Sequence, residues 1–379
     1  MILTAQRTNR SLLMEWWRSI DRVMMAIFGT LILAGLILSL AASPSAAARL
    51  GGTDPFYFFI RHLFFVTMGV SGAMILSMFS PINARRLAVI AMLGAIVVMF
   101  ALNFIGHEVK GATRWIKIGS FSLQPSEFAK PGFIVFAAWM FAQRKKDVTF
   151  PGIAFVFAVY LLLVLMLLKQ PDFGQSFLVT LCFGAIFFFA GLSLGWMMFL
   201  GCVSLIGAVT AYFALPHVQD RISRFLNPEG SDTYQTDKAL EAISNGGLFG
   251  RGPGEGRIKE QLPDAHTDFI FAVAVEEFGF LISLILIALL AALVTQAFRK
   301  ALRLNDHFAQ LAVAGLATMI GVQTIINLAV NLNMVPPKGM TLPFISYGGS
   351  SMLALCFAMG LILAFTRKRP GAYGFGSTR

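Results

Sequence analysis

The sequence predicts an all-α polytopic membrane protein of about ten transmembrane helices, with a large extracytoplasmic loop between spans 7 and 8. Three observations carry this. Hydrophobic residues fill 57% of 379 positions and charged residues only 13%, where a soluble domain carries roughly a quarter charged. The mean hydropathy is +0.73. The apolar stretches run unbroken for about twenty residues, the length of a membrane-crossing helix, without the alternation of barrel strands. Backbone polar groups at membrane depth must be satisfied within the segment, and a helix does that.

The elements follow in order. A polar, basic tail (1–22) precedes a first span at 23–42, too long for the core of a cleavable signal, so it reads as a signal anchor. Further spans fall at 56–78, 87–106, 126–142, 151–168, 175–191 and 196–215. A hydrophilic stretch, 216–267, interrupts them. Spans at 268–298, 308–332 and 351–366 and a tail at 367–379 complete one integral membrane unit, 1–379. An even count puts both termini on one side. Arg7, Arg10, Arg18 and Arg22 lie in the first tail, and Arg367, Lys368 and Arg369 in the last. Alternate loops carry Arg85-Arg86, Arg144-Lys145-Lys146, and Arg299-Lys300 with Arg303. This bias makes that side cytoplasmic and accounts for the net charge of +11. The clusters are topology signals and headgroup contacts, not a nucleic-acid site. Cys182, Cys202 and Cys356 fall in apolar runs without metal spacing and read as small buried hydrophobes. No internal or inverted repeat is visible, which counts against several transporter architectures.

The opposite side carries the polar motifs. In Lys110-Gly111-Ala112-Thr113-Arg114-Trp115-Ile116, Arg114 offers a forked donor set for phosphate or carboxylate; with Trp115 it equally suits an interfacial anchor. Gln124-Pro125-Ser126-Glu127-Phe128-Ala129-Lys130 opens the fourth span, with proline at a helix start. Glu127 and Lys130 share a face, as a structural ion pair or as the charged wall of an aqueous cavity. Lys169-Gln170-Pro171-Asp172-Phe173-Gly174-Gln175 is a tight turn with one cation and one anion. The long loop predicts a short amphipathic helix near 236–244. Then follows a glycine-rich run, 246–254, that lacks nucleotide-loop spacing and reads as a flexible turn or an approach for an anion.

The loop ends in His266-Thr267-Asp268, and the chain then turns apolar. A carboxylate at such a boundary is costly. Asp268 is either a helix cap or a reactive group. Glu276 and Glu277, about two turns deeper, are expected to face the interior and pair with cations. His266 can titrate, ligate a metal or simply hydrogen-bond. The last polar passage, 327–351, is broken by Pro and Gly and must line a protein cavity or water.

These stretches together resemble the SEDS family (shape, elongation, division, sporulation) of peptidoglycan polymerases. The resemblance covers almost the whole chain. It rests on Gly-Ala-Thr-Arg-Trp-Ile (111–116), Gln-Pro-Ser-Glu-Phe-Ala-Lys (124–130), Lys-Gln-Pro-Asp-Phe-Gly (169–174), Ala-His-Thr-Asp-Phe-Ile-Phe-Ala (265–272) and Pro-Phe-Ile-Ser-Tyr-Gly-Gly-Ser-Ser (343–351), all in family order. Pro-Lys-Gly-Met-Thr-Leu-Pro (337–343) looks like the cell-division branch rather than the elongation branch. Thr113 stands where the family often has a second arginine. Pro337, the second of two prolines, is unusual and should stiffen its loop.

The resemblance implies a glycosyltransferase of the bacterial inner membrane, with its active site on the outer face. It would polymerise lipid II into β-1,4 glycan strands for the septal wall, with inversion at the undecaprenyl pyrophosphate-linked donor. The family's catalytic aspartate maps onto Asp268, as base. Arg114, Lys130 and Lys338 are assigned to pyrophosphate, with Glu127 orienting Lys130. Asp172, His266, Ser346, Gly348 and Ser350 complete the expected substrate-binding set. No dedicated metal site and no organic cofactor is expected; Mg²⁺ or Mn²⁺ would be held mainly by the substrate's pyrophosphate. The implied partners are lipid II, a class B penicillin-binding protein that is a transpeptidase, and other divisome membrane proteins. A lipid II flippase is the competing reading and needs polar groups across the membrane's depth. A division scaffold is the third, and leaves Asp268 unexplained.

Overall fold

A computed structural model describes residues 12–49, 51, 54–105, 114–119, 121–192, 194–214, 218–219, 222–223, 225 and 233–368. The expectations at Arg7, Arg10, Lys110–Thr113 and Arg369, and most of the first part of the 216–267 stretch, lie outside them. In chain order the helices are α1 (Leu12–Ser19), α2 (Arg22–Arg49), α3 (Tyr57–Ser77), α4 (Pro81–Ile105), α5 (Pro125–Lys146), α6 (Gly152–Lys169), α7 (Phe173–Phe189), α8 (Leu194–Ala214), α9 (Tyr234–Gly246), α10 (Ile270–Ala301), α11 (His307–Asn331) and α12 (Gly349–Thr366). The ten expected spans correspond to α2–α8 and α10–α12. Seven of these are by themselves long and apolar enough to cross a membrane. The protein is a multi-pass membrane protein.

The core lies where α11, α12 and α5 meet. α12 packs on α3, α4 on α5, and α11 on α5, α7 and α10. α5 starts with Pro125 in its first turn and ends in Arg144, Lys145 and Lys146. That order suits both the missing proline donor and the helix dipole. The Arg/Lys-rich helix ends mark a basic end of the bundle, and the polar motifs gather at the opposite, loop end.

Several boundaries differ from expectation. α2 runs seven residues past its predicted end, through Pro44. α4 begins at Pro81, so Arg85 and Arg86 belong to a helix and not to a loop; Arg85 lies over the Trp139 ring at 4.5 Å. A two-stranded antiparallel hairpin, β1 (Ile116–Ile118) and β2 (Phe121–Leu123), pairs Ile116 with Leu123 and was not foreseen in an all-α chain.

The largest difference concerns α10 and the glycine run before it. α10 breaks at Gly279, with φ 84° and ψ 167°, a conformation closed to L side chains. A break frees N–H and carbonyl groups that need partners where water is excluded. The glycine run supplies them. Phe280 N–H donates to Gly247 O at 2.9 Å, and Glu276 O and Glu277 O accept from Arg251 N (2.9 Å) and Gly252 N (3.0 Å). Gly246 and Gly250 lack a Cβ by necessity: one would fall 2.0 Å from Val275 O and 2.2 Å from Glu277 O respectively. The run is therefore a fitted wedge, not a flexible turn.

Both glutamates clasp the same segment. Glu276 accepts from Asn245 Nδ2 (3.1 Å), Ile258 N (2.8 Å) and Lys259 N (2.9 Å). Glu277 pairs with Lys259, whose ammonium also donates to Ala41 O of α2 at 3.1 Å. The pairing expected for Glu277 is thus met by a lysine of the long loop.

Candidate active site

Asp268 stands just outside α10. It closes a turn in which Asp264 O accepts from Thr267 N (3.0 Å), Asp268 N (3.1 Å) and Phe269 N (3.3 Å). The residue at the cap position is Phe269, which makes no side-chain cap. The capping oxygen comes instead from α11: Asn331 Oδ1 accepts from Ala272 N at 3.2 Å. One N–H of the first turn of α10 is therefore met from another helix. Asn327 Nδ2 (2.8 Å) and Asn331 Nδ2 (3.0 Å) both donate to the Asp268 carbonyl. The side chain is half-buried.

The last loop lies against this turn. A Cβ on Gly339 would lie 3.5 Å from Asp268 Oδ2. Its neighbour Lys338 runs across the start of α7, where a Cβ on Gly174 would meet Lys338 Cδ at 3.3 Å. Lys338 Nζ sits 5.2 Å from the Phe173 ring centre and 4.9 Å from that of Phe177, a cation over aromatic faces. Two adjacent residues thus join the Asp268 turn to the α7 cluster.

That cluster is closed and buried. Lys130 pairs with Glu127 at 2.8 Å and donates to Gln175 Oε1 at 2.7 Å. Gln175 Nε2 completes the triangle on Glu127 at 2.6 Å. Lys130 and Glu127 are 3% and 4% exposed, so they form a structural ion pair and not the wall of an aqueous cavity. Asp172 accepts from Gln175 N (3.3 Å) and Gln124 Nε2 (3.0 Å) and faces Arg114 at 3.7 Å. Arg114 also donates to Gln170 O (2.6 Å) and to Pro171 O, which reads it as a brace of this turn as well as a cation.

The remaining expected residues shape the loops. Ser350 Oγ accepts from Gln124 N at 2.8 Å and donates to Ser122 O at 3.3 Å, joining α12 to the hairpin and α5. Ser346 Oγ accepts from Leu342 N at 2.8 Å inside a buried turn. A Cβ on Gly348 would touch Thr341 Cγ2 at 2.9 Å. His266 lies between the Phe58 and Tyr347 rings, with centres 4.3 and 5.4 Å away. Its Nδ1 is buried without a partner, and burial lowers its pKa to about 4, so the ring is neutral near pH 7. Among the described residues no group of three or more His, Cys, Asp or Glu could hold a metal ion.

Sequence reasoning missed Asn327, Asn331, Gln175, Gln124 and Lys259 as members of these networks. The first two carried a usable signal. Two asparagines four apart inside an apolar span share a helix face and are costly there unless bonded.

Known proteins resemble the chain along nearly its whole length. It is 52% identical over 368 residues to a probable peptidoglycan glycosyltransferase FtsW of Caulobacter vibrioides, covering 97% of this chain and 94% of that one. A protein of the same description from Trichlorobacter lovleyi is 34% identical over 351 residues, covering 90% and 92%. A chain from a solved peptidoglycan synthase complex that coordinates polymerization and crosslinking superposes with a TM-score of 0.76 at 26% identity, covering 92% and 98%. The crystal structure of the rod shape determining protein RodA of Thermus thermophilus gives 0.68 at 27%, covering 92% and 97%. Residues 21–370 match the model of the family described as cell cycle protein, which groups FtsW, RodA and SpoVE, and the chain belongs to that family.

Proposed function

We propose that this protein is a peptidoglycan glycosyltransferase of the cell-division branch, polymerising lipid II in the bacterial cytoplasmic membrane. The basic end faces the cytoplasm with both termini, and the Asp268 end faces outward. One observation carries the reading. Asp268, half-buried at the entrance of α10, lies against the loop that carries Lys338 and Gly339, with the Cβ position of Gly339 3.5 Å from its Oδ2.

The chemistry is a single displacement. Asp268 accepts the proton of the acceptor sugar's 4-hydroxyl. The oxygen attacks the anomeric carbon of the growing strand from the face opposite the pyrophosphate. The carbon–oxygen bond to that phosphate breaks, and the pyrophosphate leaves with the electron pair. Attack from the far face turns an α-linked donor into a β-1,4 link. Lys338 and Arg114 supply positive charge toward the leaving pyrophosphate. Lys130, enclosed with Glu127 and Gln175, supports the α7 turn beneath them. Mg²⁺ or Mn²⁺ carried in on the pyrophosphate would add counter-charge; the described residues provide no cage of their own.

The likeness to a synthase-complex chain supports a class B penicillin-binding protein as partner. The flippase alternative needs charge through the membrane's depth. Among the described residues the ion pairs lie near the loop end, or at the basic end as Asp21–Lys300. The test is purified protein with labelled lipid II, with and without the class B partner. Asp268→Asn is expected to insert, bind the partner and form no glycan. Wild-type polymerisation by that variant would sink the assignment.

A further inference from the structure

We infer that Asn327 is a positioning residue, which sets the Asp268 carboxylate against the Lys338–Gly339 corner. The inference rests on the polymerase reading above and deepens it. Both hydrogens of the Asn327 amide are committed: Nδ2 lies 2.8 Å from Asp268 O and 2.7 Å from Met340 O. Those two carbonyls belong to different segments, the turn carrying the base and the loop carrying Lys338. Two carbonyl oxygens repel at close range, and a group with two donors placed between them turns the repulsion into a bridge. Asn327 is 1% exposed, so no water does this in its place and the amide reaches no substrate.

Asn331 completes the frame one turn further along α11. Its Nδ2 also donates to Asp268 O at 3.0 Å and to Asn327 O at 2.9 Å, while its Oδ1 holds Ala272 N at 3.2 Å. The Asp268 carbonyl is therefore fixed from two directions, and the first turn of α10 is fixed by the same helix. What remains to the base is rotation of its own side chain. On the other side, holding Met340 O fixes Gly339, whose Cβ position is 3.5 Å from Asp268 Oδ2. The spacing of the two backbone segments, the turn at Asp268 and the loop at Gly339, is thus set by α11, a central buried helix, while the Lys338 ammonium rests on the Phe173 and Phe177 rings of α7. Misplacement of a reacting group by about 1 Å can cost roughly a hundredfold in rate.

The test compares initial rates against lipid II concentration for the purified complex with its class B partner. Asn327→Asp keeps the shape and puts an oxygen where a donor stood. The expected result is a kcat lower by about ten- to a hundredfold, with KM within about twofold. Asn327→Ser keeps one donor and no charge, and serves if the aspartate does not insert; it should show the same split at smaller size. Full kcat in either variant, or a rise in KM alone, would overturn the inference. Wild-type activity of Asp268→Asn would overturn the base assignment instead, so the two failures are told apart.

Discussion

Lys130→Met removes the ammonium from a closed triangle of buried groups. Lys130 and Glu127 side chains are 3% and 6% exposed, with nitrogen and oxygen 2.8 Å apart. After the change Glu127 keeps the Gln175 amide at 2.6 Å and loses its counter-charge. Breaking a buried pair from one side costs about 3–5 kcal/mol, because a charge stays behind without compensation. That is a large part of a typical folding margin of roughly 5–15 kcal/mol. Glu127→Gln together with Lys130→Met removes both charges, and the same reasoning returns the protein to within about 1 kcal/mol of the parent. The assay is unfolding followed by tryptophan fluorescence in detergent, run beside lipid II polymerisation. The single variant should be strongly destabilised, and the double variant should recover both stability and much of the activity. A single variant as stable as the parent would refute the enclosed-pair argument. A stable but inactive double variant would show that Lys130 acts on the substrate itself.

Three further outcomes are expected. Gly250→Ala drives a Cβ to 2.2 Å from Glu277 O and should open the loop to protease, whereas Gly29→Ala, with nothing within 4 Å, should be silent or stabilising by about 0.5–1 kcal/mol. His266 has a folded pKa of about 4, below the ordinary 6.5. The native state therefore binds fewer protons between those values, and stability present above pH 6.5 is lost as pH falls toward 4, by up to roughly 3 kcal/mol; His266→Phe should flatten that slope in melts at pH 7 and 5. Lys338→Ala should slow polymerisation less than Asp268→Asn, since Arg114 shares the charge; the reverse order in the lipid II assay would move the centre of the site to the last loop.

The spans and the motif positions were legible because both are local. A run of apolar residues states its own length, and Pro125 announces a helix start. Asp268 could be flagged from its boundary, yet what holds its turn could not be seen, because Asn327 and Asn331 lie on another helix. The break in α10 was hidden for a similar reason. Gly279 looks like any glycine in an apolar helix, and only the wedge of residues 246–252 makes its conformation affordable to the fold. The same wedge explains why the glycine run reads as flexible: composition reports what a backbone can adopt, not what is packed against it. Lys130 was placed toward substrate because its charge was visible and Gln175 was not seen as the third side of its triangle.

The break at Gly279 also divides α10 mechanically. From Ile270 to Glu277 the helix is enclosed by protein, while Phe280, Leu281, Ile282, Leu284 and Ile285 lie on its exposed, lipid-facing side. The lower piece, Phe280 to Ala301, measures about 33 Å at 1.5 Å per residue, close to the roughly 30 Å of a bilayer's hydrocarbon. A thicker or thinner membrane tilts a helix to match itself. Here the wedge grips both sides of the break, with Phe280 N on Gly247 O below it and Gly252 N on Glu277 O above it. The lipid-facing piece and the enclosed piece that follows Asp268 are thus tied to one loop, and that loop fixes the angle between them.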